Sequence, residues 1–435
     1  MDLSKHNIIT AIEGNRNYFI VNLLSRNADI LTADQYNQIL ANSYPDTGEL
    51  VKKGYLTEKE DEEGLFKKEY LEFLDKRASD EIQLFFVPWY TCNFKCSYCY
   101  QNEYRQISSG PEKAVLGAFF NFLDSHFINR RKYITLFGGE PLLNTKWQRK
   151  FIADFIIESN IRKLDIALVT NGYHLSSFMD ILENASLREI QVTLDGLQKS
   201  HDKRRPLKNG EGTFEKIVEG IDLSLQSGIP VNLRMVLDRN NIDKLPELAR
   251  FAIERKWTSS PLFKTQLGRN YELHQCQLHP DQLYTRIELY RDIFRLLKRY
   301  PEILEFHKPA FSISKFLFEE GSLPEPLFDS CPGTKTEWAF DSTGNIYPCT
   351  ATVGKTGEEL GTFFPQVKLN EERIADWESR DVLAIPECKD CNLQLACGGG
   401  CGSVAKNKSG RLNTPDCRPV KELLELGIAL YYEKV

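Results

Sequence analysis

Three cysteines of the chain, Cys92, Cys96 and Cys99, follow one another at a spacing of C-x3-C-x2-C. Closely spaced thiolates are the usual ligands of iron–sulfur clusters, and a cubane cluster contains four irons. Three protein ligands therefore leave one iron open to a cofactor or a substrate. Zinc is the structural alternative, but a closed zinc site takes four ligands, and no fourth Cys or His lies nearby in the sequence. The spacing thus favours an iron–sulfur site with one open position.

Seven more of the eleven cysteines lie between residues 331 and 417. Disulfide frameworks are typical of small secreted domains, and the amino-terminal segment lacks the zones of a secretory signal. Metal ligation therefore explains this clustering better than disulfide bonds do. Zinc ribbons remain an alternative, since C-x2-C-like pairs also suit zinc.

The first cysteine cluster is accompanied by a second motif, Gly138-Gly139-Glu140-Pro141, which follows a β-rich segment. Together with Tyr98, directly before the last cysteine, this arrangement resembles the radical SAM superfamily. The resemblance implies that the open iron binds S-adenosylmethionine, which an electron from the cluster cleaves to methionine and a 5′-deoxyadenosyl radical. That radical abstracts hydrogen from a C–H bond, so the cofactor carries the difficult chemistry. An external one-electron reductant, such as flavodoxin or ferredoxin, is implied as a partner.

The same resemblance implies which residues contact S-adenosylmethionine. Tyr98 matches the aromatic residue beside the adenine, and Arg205 matches an arginine that approaches the methionine carboxylate. The other implied contacts, to the amino group and the ribose, are Gly138, Gly139, Glu140, Asn171, Thr193 and Asp195. Strand-terminating turns are the alternative reading for the last three, and a solvated charge run is the alternative for Arg205.

The spacing of the carboxyl-terminal cysteines resembles the SPASM extension of radical SAM enzymes, which holds two auxiliary clusters. This resemblance implies three [4Fe–4S] clusters in total. One auxiliary cluster is assigned Cys388, Cys391, Cys397 and Cys417, and the other Cys331, Cys349 and Cys401. The fourth position of the second set is either open or filled from elsewhere. Cys276 is the one spare cysteine, although a lone cysteine is more often a small buried apolar residue.

Six short β-rich segments alternate with stretches that are mostly long enough for helices. They lie at residues 84–88, 133–137, 165–170, 190–194, 232–237 and 262–267. This alternation predicts a parallel α/β sheet, and six strands are too few for a complete eight-stranded barrel. We therefore predict a partial (β/α)6 radical SAM barrel. Its first strand ends just before Cys92, which places the first cluster at the carboxyl end of the strands.

Around the barrel we predict four further regions. An α+β module at 1–80 resembles, in size and position, the winged-helix-like modules that bind leader peptides in maturases of ribosomally made peptides. A plain structural cap on the barrel is the alternative. In this module we expect Thr32 or Asp34 to cap a helix, and the acidic run at 58–64 to form a solvated loop. After the barrel at 81–270 follow a helical bridge at 271–325, a Cys-rich SPASM domain at 326–417 and a terminal helix at 418–435.

The composition excludes several classes of function. Hydrophobic residues make up 41% and charged residues 27% of the chain, as in ordinary globular proteins. A net charge of −6 disfavours nucleic acid as a partner, because that affinity depends on Lys and Arg. The sequence contains no apolar run long enough to span a membrane. We therefore expect a cytoplasmic protein without a membrane partner.

Radical SAM enzymes with this double architecture mostly modify peptides or proteins. The resemblance therefore implies a maturase that crosslinks side chains of a precursor peptide through a carbon–carbon or thioether bond. Anaerobic sulfatase maturases, which form formylglycine, are one alternative. In that branch an Asp follows the cysteine that matches Cys349, whereas here Thr350 does, and a hydroxyl is no base at neutral pH. A non-catalytic iron–sulfur protein is the other alternative, although it would not need the Gly-Gly-Glu-Pro motif. The sequence does not identify a catalytic base.

Overall fold

The computed structural model describes residues 1–12, 15–43, 47–99, 101, 113–270 and 280–432. Cys276 lies outside these residues. The first eighty residues form two small antiparallel sheets and the helices that accompany them. Their elements are β1 (Asp2–Leu3), β2 (Asn7–Ala11), β3 (Tyr18–Asn22), β4 (Asn27–Leu31), α1 (Ala33–Leu40), α2 (Thr47–Lys52), β5 (Leu56–Thr57) and α3 (Lys59–Ser79). Strands β2, β3 and β4 pair in sequence order, and β1 pairs with β5.

Thr32 begins α1 as predicted, because its hydroxyl accepts the N–H of Gln35 while the Gln35 side chain accepts the N–H of Thr32. The loop expected at 58–64 is wrong. This acidic run forms the first turns of α3, where negative charges interact favourably with the helix dipole. Phe66, further along α3, packs edge-on against Phe328 with ring centroids 5.1 Å apart. Packing of Phe66, Tyr70 and Phe73 on Phe328 stabilises the helix. In the sequence these aromatic residues are less prominent than the charged residues around them.

The six predicted barrel strands are all present and parallel, and they pair in the order of the sequence. Strands and helices alternate as expected of a partial (β/α)6 barrel. The elements are β6 (Ile82–Val87), α4 (Lys113–His126), β7 (Lys132–Leu136), α5 (Lys146–Ile161), β8 (Ile166–Val169), α6 (Met179–Leu182), β9 (Leu187–Thr193), α7 (Gln198–Arg204), α8 (Phe214–Gln226), β10 (Val231–Leu237), α9 (Leu245–Glu254) and β11 (Phe263–Arg269).

Outward-facing side chains of the barrel strands form the main core with the helices. Phe86 of β6 lies with its ring centroid 4.5 Å from that of Phe119 on α4 and 5.6 Å from that of Phe155 on α5. All three side chains are fully buried. Side chains alternate along a strand, so every second residue of a barrel strand faces the lumen. There the Gln83 side chain donates a hydrogen bond to the Thr135 hydroxyl at 2.8 Å. The lumen is therefore partly polar.

The carboxyl-terminal region continues the barrel sheet. Strand β12 pairs in parallel with the free edge of β6, and three antiparallel strands follow it. The remaining elements are α10 (Arg286–Arg299), α11 (Ile303–Phe306), β12 (Glu337–Asp341), β13 (Asn345–Tyr347), β14 (Gly361–Thr362), β15 (Lys368–Leu369), α12 (Glu371–Glu378), α13 (Gln394–Cys397), α14 (Gly402–Ser409) and α15 (Val420–Tyr431). None of the helices in the described ranges is both long and apolar enough to cross a bilayer.

Candidate cofactor and cluster sites

The loop that carries Cys92, Cys96 and Cys99 leaves the carboxyl end of β6, as predicted. Burial raises the pKa of the Cys92 thiol to about 12, and the nearby charges of Glu140 and of the other two cysteines raise it further. Burial also raises the pKa of Cys96 to about 11, while the positive charge of Arg205 opposes this shift. Thiols that influence one another in this way share one site. A bound cation would favour their thiolate forms.

The glycine motif clamps this loop in place. The N–H of Gly139 donates to the carbonyl of Trp89 at 3.1 Å, and the N–H of Glu140 donates to the carbonyl of Thr91 at 2.9 Å. A Cβ atom on Gly139 would lie 2.2 Å from that Thr91 oxygen. Gly138 has φ +146°, a conformation that side chains rarely adopt. Close approach of two backbones therefore requires both glycines.

The Glu140 carboxylate holds the end of the third barrel strand. It accepts hydrogen bonds from the Thr170 hydroxyl at 2.5 Å and from the N–H of Asn171 at 2.6 Å. The side chain is 1% exposed, and burial raises its pKa to about 6. Glu140 thus positions the neighbouring strand end from below the cavity described next.

A second buried network fixes the aromatic residue of the cysteine motif. The Tyr98 hydroxyl donates to the Asp195 carboxylate at 2.6 Å and accepts a hydrogen bond from Arg205 at 2.7 Å. Asp195 also accepts from Arg204 at 3.2 Å, and Arg204 forms a bidentate pair with Asp238 at 2.9 and 3.0 Å. The network ties the cysteine loop to the ends of β9 and β10.

A cavity of about 230 Å³ lies directly above the three cysteines, at the carboxyl ends of the strands. Two buried donors in its wall have no partner in the described part of the chain, the Nε atoms of Arg205 and Arg234. A buried donor without a partner is costly, so both sites favour an anionic or carbonyl ligand. Two guanidinium groups and an aromatic ring beside a three-thiol site fit a cofactor that carries a carboxylate and an adenine.

Six of the residues implied by the resemblance line this cavity: Tyr98, Gly138, Gly139, Asn171, Thr193 and Arg205. Glu140 and Asp195 do not line it, because both carboxylates are occupied by the internal hydrogen bonds given above. The contacts of all eight residues to a cofactor stay predictions. Arg234, which sequence reasoning missed, lines the cavity from the middle of β10. The available signal was the alternation of side chains along β10, which places every second residue in the lumen of the barrel.

Four carboxyl-terminal cysteines come together in one place. Burial raises the pKa of Cys388 to about 11, and the other three members of the set add to the shift: Cys391, Cys397 and Cys417. These four were assigned to one auxiliary cluster in the sequence. Cys388 and Cys391 lie three residues apart, Cys397 ends the short helix α13, and Cys417 lies just before α15. The tertiary fold therefore brings these segments together.

The remaining three cysteines form another group. Burial raises the pKa of Cys349 far above its usual value, and the charges of Glu337, Cys331 and Cys401 raise it further. Arg380, which is fully buried, donates to the carbonyls of Gly399 and Gly400 and so shapes the loop before Cys401. In the described ranges, no three Cys, His, Asp or Glu side chains are close enough together to hold a single metal ion.

Comparison with known proteins gives a family profile and several relatives. The profile of the radical SAM superfamily matches residues 86–252. A GTP 3′,8-cyclase of Helicobacter pylori is 32% identical over 266 residues, which cover 59% of this chain and 77% of that protein. The cyclase of another strain of this species is 27% identical over 308 residues, covering 67% of this chain and 90% of that protein.

Solved structures resemble the fold over more of the chain. The structure of anSMEcpe with bound AdoMet and the Cp18Cys peptide aligns with a TM-score of 0.60 and 17% identity, covering 82% of this chain and 98% of that one. The structure of Streptococcus suis SuiB bound to the precursor peptide SuiA aligns with a TM-score of 0.53 and 15% identity. That alignment covers 96% of this chain and 98% of SuiB. At such identities the likeness is one of fold.

Proposed function

Because this chain belongs to the radical SAM superfamily, whose enzymes use S-adenosylmethionine and a [4Fe–4S] cluster, we propose that it is a peptide maturase. Its substrate is a ribosomally made precursor peptide, in which it forms a carbon–carbon or thioether crosslink between two side chains. Cys92, Cys96 and Cys99 hold the cluster that binds S-adenosylmethionine. The other two cysteine groups hold one auxiliary cluster each.

When bound and reduced, the cofactor supplies a 5′-deoxyadenosyl radical that removes one hydrogen atom from the substrate. The residues of the chain orient the cofactor. Arg205 and Arg234 offer unpaired N–H donors to a carboxylate, and Tyr98 lies between Arg205 and Asp195 so that its ring is fixed. Fixed donors of this kind lower the cost of positioning a ligand.

The likeness to SuiB carries most weight for a peptide substrate. It extends over 96% of this chain, and the SuiB structure contains a precursor peptide. The alignment with a GTP 3′,8-cyclase leaves about a third of this chain unmatched, since it covers 67%. An amino-terminal module in front of a barrel, together with two cysteine groups behind it, favours the first comparison.

A second cavity beside the first provides room for a peptide. It measures about 520 Å³ and lies between β11, α10 and the start of α15. Arg269, at the end of β11, lines both cavities. Leu23 of the amino-terminal module also lines the second cavity. A peptide bound there would reach from the module toward the cofactor.

The proposal is tested by reconstituting the protein with iron and sulfide without oxygen, then adding S-adenosylmethionine, a one-electron reductant and candidate precursor peptides encoded beside the enzyme. Three four-iron clusters predict about twelve irons per chain. Crosslinking predicts 5′-deoxyadenosine, methionine and a peptide lighter by about two mass units, the mass of two hydrogens. Fragmentation then locates the bond.

The matched control is a chain in which Cys92, Cys96 and Cys99 are replaced by alanine, which is expected to keep about eight irons and form no 5′-deoxyadenosine. GTP and a sulfatase-derived peptide serve as rival substrates. Conversion of GTP alone would place this chain with the cyclases by activity, and formylglycine in the sulfatase peptide alone would support the sulfatase-maturase alternative. Zinc in place of iron would contradict the cluster assignment.

A further inference from the structure

An acidic side chain, Glu337, lies beside the three-cysteine group. We propose that the Glu337 carboxylate is the fourth protein ligand of the auxiliary cluster held by Cys331, Cys349 and Cys401. This inference rests on the proposed function, which assigns a cluster to these cysteines. It answers the question that the sequence leaves open, because it closes the position that three thiolates leave free.

A tight turn carries the chain from Cys331 to Glu337. The N–H groups of Lys335, Thr336 and Glu337 all donate to the carbonyl of Pro332, at distances of 3.0, 2.9 and 3.0 Å. Three donors on one oxygen fold the chain back on itself. The backbone of Glu337, the first residue of β12, is thereby hydrogen-bonded to Pro332, which directly follows Cys331.

Glu337 also binds the residue that follows the second cysteine of the group. One oxygen of its carboxylate accepts the N–H of Thr350 at 2.8 Å and the hydroxyl of Thr350 at 3.2 Å. Thr350 directly follows Cys349. The carboxylate is therefore held against the two segments that carry Cys331 and Cys349.

The third cysteine approaches from α14. A Cβ atom on Gly402, the first residue of α14, would lie 3.1 Å from the sulfur of Cys331, so Cys401 and Cys331 are neighbours. The segments that carry Cys331, Cys349 and Cys401 therefore lie beside one another, and the Glu337 carboxylate lies against the second of them.

In the part of the chain that the structure describes, the charge of Glu337 lacks a protein counter-ion. Among the described residues, no Lys, Arg or His side chain pairs with it, and its second carboxylate oxygen accepts no hydrogen bond. A partly buried carboxylate without a cation is costly, and cluster iron would supply the missing positive charge. Carboxylates are established ligands of protein iron.

A closed cluster has a different role from an open one. If Glu337 occupies the fourth iron, no substrate thiolate or amide binds there. The cluster then serves to accept or pass electrons. The Asp that sulfatase maturases use as a base has no counterpart at Thr350, and Thr350 instead orients the carboxylate ligand.

The test uses the full chain with Cys92, Cys96 and Cys99 replaced by alanine, so that only auxiliary clusters remain. The protein is reduced, ¹³C-labelled cyanide is added, and ¹³C hyperfine coupling to the clusters is measured by electron–nuclear double resonance. With Glu337 present we expect no coupling, because every iron is ligated. Glu337→Ala should gain coupling from cyanide at the opened iron, and Glu337→Cys should lose it again.

Glu358→Gln is the matched control, because Glu358 pairs with Lys406 of α14, the helix that follows Cys401, and is not one of the proposed ligands. It should behave like the parent chain. Coupling in the parent chain would overturn the proposal, because the fourth iron would be open. Absence of coupling in both the parent chain and Glu337→Ala would also overturn it and direct attention to another ligand, with Cys276→Ala as the next variant.

Iron analysis separates this inference from the proposed function. The parent chain of this test should contain about eight irons, from two four-iron clusters. A count near four or zero would mean that the auxiliary cluster assignment itself is wrong. A count near eight with coupling in the parent chain would leave the assignment standing and exclude Glu337 alone. The parent chain gives these readouts even if a substituted chain fails to fold.

Discussion

The Nδ1 atom of His201 accepts the backbone N–H of Asp195 at 3.2 Å, so this buried imidazole is neutral and carries its proton on Nε2. Nε2 contacts the hydroxyl of Thr213 at 3.1 Å, and that hydroxyl donates to the carbonyl of Arg205 at 2.8 Å. A chain of hydrogen bonds therefore links His201 to the arginine at the cofactor cavity. Protonation of Nδ1 would break the hydrogen bond that this atom accepts from the N–H of Asp195.

Acidification should destabilise the protein through His201. Burial, followed by the charge of Arg205, lowers the folded-state pKa to about 3 from 6.5. Above pH 6.5 the imidazole is neutral in both states. Between 6.5 and 3 only the unfolded chain gains the proton, so the free energy of unfolding falls by about 1.4 kcal/mol per pH unit. Urea unfolding at several pH values should show a smaller slope in His201→Gln than in the parent chain.

Arg205→Gln should weaken S-adenosylmethionine binding by roughly tenfold to a hundredfold, because a hydrogen bond to a charged group contributes about 1.5–3 kcal/mol. Arg205 is 8% exposed and its Nε has no partner in the described residues. Equilibrium dialysis with the reconstituted protein measures the change. Lys203→Gln removes an exposed charge from the same segment and should leave the affinity as it is. Equal affinities in both variants would assign the carboxylate to another residue.

Gly139→Ala should displace the cysteine loop. Its new methyl carbon would lie 2.2 Å from the carbonyl oxygen of Thr91, and backbone must move to relieve the clash. We expect about four fewer irons per chain and a lower melting temperature. Gly64→Ala in α3 meets nothing within 4 Å and should stabilise the fold by about 0.5–1 kcal/mol. Full iron content in Gly139→Ala would refute the clamp.

Asp195→Asn should lower the free energy of unfolding by roughly 3 kcal/mol, because it leaves the buried guanidinium of Arg204 with one carboxylate instead of two. Asp195 is fully buried and also accepts the N–H of Val236 at 3.0 Å. The surface variant Asp243→Asn loses only an exposed pair with Lys244 and should cost less than about 1 kcal/mol. Calorimetry of the two variants compares them, and equal melting temperatures would speak against the network.

Local patterns were sufficient where the interaction is local. The box at Thr32 was readable because its two hydrogen bonds join residues three apart, and the six barrel strands were readable because buried parallel strands are apolar throughout. The acidic start of α3 misled because charge was weighed above the apolar spacing of Phe66, Tyr70 and Phe73. That spacing matters only once Phe328 is present to pack on it.

The sequence by itself determined the cysteine spacing, the glycine motif and the order of strands and helices, since each depends on neighbours along the chain. Only the tertiary structure decided that Arg234 faces the cofactor cavity and that β12 extends the barrel sheet beside β6. It alone placed the Glu337 carboxylate against Thr350, the residue that follows Cys349. These relationships join segments that lie far apart in the chain. They are determined by burial and strand pairing across the whole fold, which no short sequence pattern encodes.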